Sequence, residues 1–159
     1  MRLRFGGAAV NKSFIKWIFN NIEFGNTIVE LGSGYGTTTS LSVLYDLYSI
    51  ENDIRYLNKG NNSNYIYAPL IDDKWYDESC IKDELPEVFD LLIIDGPIGH
   101  RRVNIINHFH LFDEVKTIII DDSQREGEKQ IIQFLISKGY KISAGSNGED
   151  KSWTVLTKS

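Results

Sequence analysis

The stretch Ile28-Val29-Glu30-Leu31-Gly32-Ser33-Gly34-Tyr35-Gly36-Thr37 decides how the chain folds. A short apolar run, Thr27–Leu31, reads as a buried strand, and glycines at alternate positions follow it. Gly32, Gly34 and Gly36 let the backbone turn tightly and come close to a ligand. Thr37 stands where an N-cap would open a helix over 37–46, whose first turn would aim unpaired N–H groups at that ligand. Strand, glycine turn and helix in that order make one unit of a parallel sheet.

The pattern repeats outward from this unit. Phe14, Ile18 and Ile22 stand at helical spacing and predict an amphipathic helix over 13–22. A strand over 47–50 ends at Glu51, a short helix spans 53–57, a loop spans 58–64, and a strand over 65–68 is stopped by Pro69. A strand over 88–94 runs into Asp95-Gly96-Pro97, residues 100–112 read as helix, and a strand over 117–120 ends in Asp121-Asp122. Ser123 and Glu126 form a capping box for a helix reaching 137. Two strands, 140–144 and 152–157, close the chain around a Gly/Asn/Asp loop. Strands that alternate with helices and lack polar alternation give an α/β fold, a mostly parallel sheet covered on both faces. Ligands of such sheets bind beyond the carboxyl ends of the strands, which singles out 30–36, Glu51, Pro69, Asp95 and Asp121-Asp122.

A chain of 159 residues holds one domain, 1–159, and no repeat or linker divides it. Its 42% hydrophobic and 25% charged residues are the mix of a soluble protein with a sizeable core. The longest apolar runs, such as Leu91-Leu92-Ile93-Ile94, fall far short of the ~20 residues that span a bilayer, so no membrane partner is expected. The single cysteine, Cys80, cannot make an internal disulfide and fits a reducing compartment. Arg2 and Arg4 precede a short apolar stretch, but Gly6-Gly7 break it and no cleavage-type sequence follows. The chain therefore reads as mature and cytoplasmic. Seventeen Lys+Arg against 22 Asp+Glu leave a charge of −5, which argues against nucleic acid as a partner.

Glu51 stands about twenty residues beyond the glycine loop, where a carboxylate can accept both hydroxyls of a ribose. With it, the string Glu30-Leu31-Gly32-Ser33-Gly34-Tyr35-Gly36 resembles the first motif of class I S-adenosylmethionine-dependent methyltransferases, and the order of elements fits that family over most of the chain. The Asp95-Gly96-Pro97 string, with Ala68-Pro69-Leu70 and Trp75-Tyr76-Asp77, is similar to a small bacterial O-methyltransferase-like group within it. The resemblance implies a three-layer Rossmann-like sandwich around a seven-stranded sheet with an antiparallel last strand. It also implies that Glu30, Gly32, Ser33, Gly34, Gly36 and Thr37 bind the cofactor at its methionine end. Glu51 would take the ribose, Asn52 and Pro69 would flank the adenine, and Asp95 would stand beside the sulfonium.

Two readings of the strand-end aspartates stay open. Asp95, Asp121 and Asp122 can hold Mg²⁺ or another divalent cation through oxygens, as in O-methyltransferases whose metal orients substrate hydroxyls. Alternatively, Asp122 and Ser123 only cap the next helix. Asp95 and His100 are the candidate catalytic residues, His100 as a base at the start of the next helix. Trp75 and Tyr76 would wall a ring-shaped acceptor or simply pack, and Arg101-Arg102 would hold an acidic substrate or form a solvated face. The expected function is methyl transfer to a small molecule, a sugar or other hydroxylated acceptor. Methylation of RNA or protein, and a cofactor-binding module without turnover, are the alternatives. Segment 1–12 as a lid, or a second subunit in a homodimer, would cover the acceptor.

Overall fold

The computed structural model describes residues 10–58, 62–146 and 151–159. Its main sheet contains β1 (Thr27–Leu31), β2 (Asp46–Glu51), β3 (Asn64–Tyr67), β6 (Leu91–Ile94), β7 (Thr117–Asp121), β8 (Lys141–Ser146) and β9 (Trp153–Thr157). The order across the sheet is β3-β2-β1-β6-β7-β9-β8. Neighbours from β3 to β7 are parallel, and β9 runs antiparallel to both β7 and β8. A separate hairpin pairs β4 (Leu70–Ile71) with β5 (Trp75–Tyr76).

Successive residues of a strand point to opposite faces, so one run of apolar residues feeds two cores. Ile28, Leu91, Ile93 and Ile119 pack with Phe14 and Ile18 of α1 (Lys12–Asn21) and Leu41 of α2 (Thr37–Leu41). Val29, Leu92, Ile94, Ile118 and Ile120 face the other way, toward three helices. There they meet Ile81 of α3 (Glu78–Lys82), Ile105 of α4 (Ile105–His108), and Ile131 and Leu135 of α5 (Glu126–Ser137). The result is the expected three-layer sandwich with one antiparallel strand near its end.

Local departures from the sequence reading have local causes. The helix expected over 37–46 stops at Leu41, and Thr37 is not its cap: Gly36 is, with no side-chain bond. Thr37-Thr38-Thr39 are β-branched and poor helix formers, and the Ser40 hydroxyl bonds back to the Gly36 carbonyl at 2.6 Å. The Ser123–Glu126 capping box is not made, because α5 starts at Glu126 with Arg125 as an uncapped N-cap. The Ser123 N–H instead reaches the Ser152 carbonyl at 2.9 Å, and Asp122 adopts a left-handed φ of 56°. Strand β6 begins at Leu91 rather than 88, since Val88 is 77% exposed and Asp90 exchanges two hydrogen bonds with Thr27 at the strand mouth. Residues 100–112 fold as two 3₁₀ turns, Gly99–Asn104 and Phe109–Leu111, flanking α4.

Residues 1–9 of the expected lid 1–12, residues 59–61 of the expected loop 58–64, and 147–150 of the closing loop lie outside the described residues. Val10, the first one described, is fully buried. Among the described residues no helix is long and apolar enough to cross a membrane.

Candidate functional site

The chain order reverses at β1, which lies between β2 and β6, and a cleft of about 680 Å³ opens beyond the carboxyl ends of these strands. That volume falls within the ~300–1,000 Å³ typical of small-molecule sites. Its floor is where two loops meet backbone to backbone. Gly32 has φ 84°, and a Cβ there would lie 3.1 Å from the Asp95 carbonyl oxygen and from Gly96. A Cβ on Gly96 would lie 2.8 Å from Gly32 and 2.5 Å from the Tyr76 hydroxyl. Only glycine permits this approach at both positions. At Gly34, by contrast, a Cβ would meet nothing within 4 Å, so the loop leaves open space beside its backbone.

The glycine loop is tied to β2 by Glu51, which is 6% exposed. One Glu51 carboxylate oxygen accepts from the Ser33 N–H at 2.9 Å and lies 3.2 Å from the Ser33 hydroxyl. The other accepts from the Asp53 N–H at 2.7 Å. Ionised carboxylates offer about four lone-pair sites, so Glu51 holds the loop and keeps acceptor capacity toward the cleft that it lines with Asn52. Ser33, Gly36 and Thr37 line the same cleft.

Glu30 does not line it. It is fully buried under the loop, where its carboxylate accepts from the Ser49 hydroxyl at 2.6 Å and from the Thr38 hydroxyl. Thr38 in turn accepts from the Gly34 N–H at 2.8 Å, so Glu30 fixes the loop from beneath. Burial raises its pKa to about 7, the two hydroxyls opposing and Glu51 adding to the rise. Its second oxygen has no hydrogen-bond partner among the described residues.

At the other end of the cleft stands a cluster of charges. Asp95, Asp121 and Asp122 each bring one carboxylate oxygen within 4.8 Å of the others, as the sequence reading expected of a cation site. Each also has a cationic partner. Buried Arg102 pairs with Asp95, with Asp122 at 3.7 Å and with Glu128 at 3.0 Å. Lys151 lies 3.1 Å from Asp121 and 3.8 Å from Asp122, and Arg125 lies 3.0 Å from Asp122. Burial, then the Asp121 charge, hold the Asp95 carboxyl well above the usual range, with Arg102 and Lys151 pulling against them. Burial likewise raises Glu128.

Besides Glu30 and Asp121, two more expected site residues do not line the cleft. His100, just past Gly99 at φ 68°, is exposed on the 3₁₀ turn after β6 and does not line the cleft. Pro69 is also outside; its carbonyl accepts from the Asp77 N–H at 2.8 Å at the base of the β4–β5 hairpin. Of the two aromatics on that hairpin, Trp75 is packed away from the cleft and Tyr76 lines it. Arg102 is not on a solvated face, being 3% exposed, and its neighbour Arg101 pairs with Asp73 at 2.7 Å. Lys151 lines the cleft and was missed by sequence reasoning, which raised Tyr76 and Arg102 only with their roles open. Tyr76 and Arg102 stood out locally as members of an aromatic and a basic pair; nothing local marked Lys151.

No family model and no curated protein matches the chain. Solved structures do. A precorrin-6y C5,15-methyltransferase from Geobacter metallireducens is similar over 99% of this chain and 95% of that one, with 13% identity and a TM-score of 0.66. The magnesium protoporphyrin IX methyltransferase of Synechocystis, with bound S-adenosylmethionine, covers 92% of this chain and 77% of its own at 16% identity and a TM-score of 0.60. A TehB-like S-adenosylmethionine-dependent methyltransferase from Corynebacterium glutamicum covers 91% and 86% at 15% identity and a TM-score of 0.59. At such identities the likeness is one of architecture, and with the strand order, the reversed β9 and the cleft at the β1 switch point it is decisive on that level: the chain has the class I S-adenosylmethionine-dependent methyltransferase fold.

Proposed function

We propose that the protein is an S-adenosylmethionine-dependent methyltransferase that acts on an oxygen of a small hydroxylated molecule. One observation carries this reading: the glycine loop, the Glu51 carboxylate and the Asp95 carboxyl converge on a single cleft at the switch point of the sheet. The residues fit a nucleoside cofactor. Gly34 leaves room beside its backbone, and Glu51 offers acceptor sites for ribose hydroxyls. When bound, the cofactor supplies a methyl group on a positively charged sulfur, which passes in line to the acceptor oxygen while the sulfur leaves with its bonding pair.

The chain then has to align the acceptor, exclude water and take the acceptor's proton. Alignment of this kind lowers barriers by ~7–11 kcal/mol. Asp95 is the proposed base. It lines the cleft with a fifth of its side chain exposed (21%), and its raised pKa makes its carboxylate a stronger base than an ordinary one. His100, turned to solvent, takes no part. Arg102, Arg125 and Lys151 already neutralise the acids that a divalent ion would need, so the proposed chemistry runs without one. Exposed Tyr35, Tyr56 and Ile98 at the cleft mouth suit an acceptor with an apolar face.

Isothermal titration with S-adenosylmethionine and S-adenosylhomocysteine tests the cofactor, with NAD as control. Micromolar binding of the first two by folded protein is expected; NAD binding alone overturns the reading. Release of S-adenosylhomocysteine over a panel of hydroxylated acceptors then tests turnover, and a response only to RNA or to protein would move the acceptor class.

A further inference from the structure

Tyr76 reaches the cleft from outside the main sheet, on the second strand of the β4–β5 hairpin. Three contacts fix that hairpin against the turn after β6. Arg101 grips the Asp73 carboxylate at 2.7 Å and the Asp73 carbonyl at 3.1 Å, and the Asn104 side-chain amide donates to the Lys74 carbonyl at 3.2 Å. The Tyr76 ring packs edge-on against Trp75 at 5.1 Å, and Trp75 stacks on His108 at 5.4 Å. The phenol is thus held rigidly, with its hydroxyl against Gly96 at the cleft floor.

That hydroxyl has no hydrogen-bond partner among the described residues, although the side chain is 2% exposed. Buried hydroxyls are nearly always paired, because leaving one unpaired costs its full desolvation. Glu51, which lines the same cleft, bears on it electrostatically. Burial first, then the Glu51 charge, keep the phenol protonated, with Arg102 opposing. A carboxylate can only accept a hydrogen bond, and a phenol that keeps its proton has one to give. An alcohol does both, so the pair matches one ligand hydroxyl.

We propose that the Tyr76 hydroxyl is a ligand-binding group, the donor that works with the Glu51 acceptor to hold a ribose hydroxyl of the cofactor. The proposal rests on the nucleoside-cofactor reading above. It makes the hairpin part of the cofactor site, and it explains why a polar atom is left unpaired at the floor of the cleft.

Tyr76→Phe keeps the ring and removes only the hydroxyl. In the free protein this should hold or raise the melting temperature, since an unpaired buried group is lost. Affinity for S-adenosylhomocysteine should fall about tenfold, the factor that corresponds to ~1.4 kcal/mol. Adenosine should lose a similar factor, while 2′,3′-dideoxyadenosine should bind both proteins alike. A lower melting temperature of free Tyr76→Phe would show that the hydroxyl has an internal partner and overturn the proposal. So would unchanged S-adenosylhomocysteine affinity, or equal losses for both nucleosides, with the cofactor reading left standing. If the wild-type protein binds none of these ligands, the cofactor reading fails and this proposal fails with it.

Discussion

Arg102 holds Asp95 by both of its ends: one guanidinium nitrogen donates to the Asp95 carbonyl at 2.6 Å and to its carboxylate at 3.3 Å. The other terminal nitrogen reaches the Asp121 carbonyl at 3.2 Å and Glu128 at 3.0 Å. One buried side chain therefore joins the ends of β6 and β7 to the first turn of α5.

Replacing it should cost more than an ordinary core change. Arg102→Met leaves buried acids without their cation, a loss of about 3–5 kcal/mol. Arg102→Lys should recover little of this, because a single ammonium cannot span the fork of contacts. Urea denaturation of the three proteins checks it, and a loss below ~1 kcal/mol in Arg102→Met would mean the network is idle.

The two glycines of the cleft should respond in opposite ways. Gly34→Val has open space for its Cβ, so it should melt with the wild type yet bind S-adenosylmethionine about a hundredfold more weakly, ~3 kcal/mol. Gly96→Ala forces a Cβ to 2.8 Å from Gly32 and should destabilise the free fold by about 1–3 kcal/mol. Thermal melts paired with titrations separate the two outcomes.

Stability should fall as pH rises through the neutral range, in part because of Glu30. The unfolded chain releases this proton near 4.5 and the folded chain holds it to about 7. Between those values the native state binds more protons, so its contribution is full below 4.5 and is lost by the time pH passes 7. The change is on the order of 3 kcal/mol. Asp95 and Glu128 are shifted the same way, so the difference between wild type and Glu30→Gln, read in urea midpoints from pH 4.5 to 8, isolates Glu30.

Metal dependence offers a sharp contrast. Turnover should be unchanged in excess chelator, and loss of activity restored by Mg²⁺ would show that the three aspartates take an ion despite their cationic partners. Lys151→Met removes a cation from Asp121 and Asp122 and should create measurable Mn²⁺ affinity, read by electron paramagnetic resonance.

What the sequence disclosed divides along a physical line. Strands such as Leu91–Ile94 were legible because burial on both faces leaves a continuous apolar run, and the glycine loop was legible because its turn demands glycine. Asp95, Asp121 and Asp122 were brought together as expected because strand ends in a parallel sheet share one edge. The burial of Arg102 was not legible: locally it looks like any basic pair, and only the three acids that pair with it, Asp95, Asp122 and Glu128, reveal it. Tyr76 was legible as an aromatic candidate, but the hairpin that brings it to the cleft was not. Its hairpin depends on Asp72 and Asp73 in left-handed conformations, φ 50° and 57°, where a turn signal would normally show Asn-Gly. His100 misled because nearness in sequence to Asp95 does not fix which side of the 3₁₀ turn a residue takes.

The hairpin of β4 and β5 forms no ladder with the seven main strands. The contact that Tyr76 makes with the cleft is therefore carried by an element whose changes disturb no register of the sheet, so ligand preference can diverge there at little cost to the core. The hairpin's turn adds slack to that freedom: exchange of Asp72, at φ 50°, for Gly relieves a left-handed position and leaves the Asp73–Arg101 pair in place, giving a reserve of stability against which harsher substitutions on the hairpin can be tolerated.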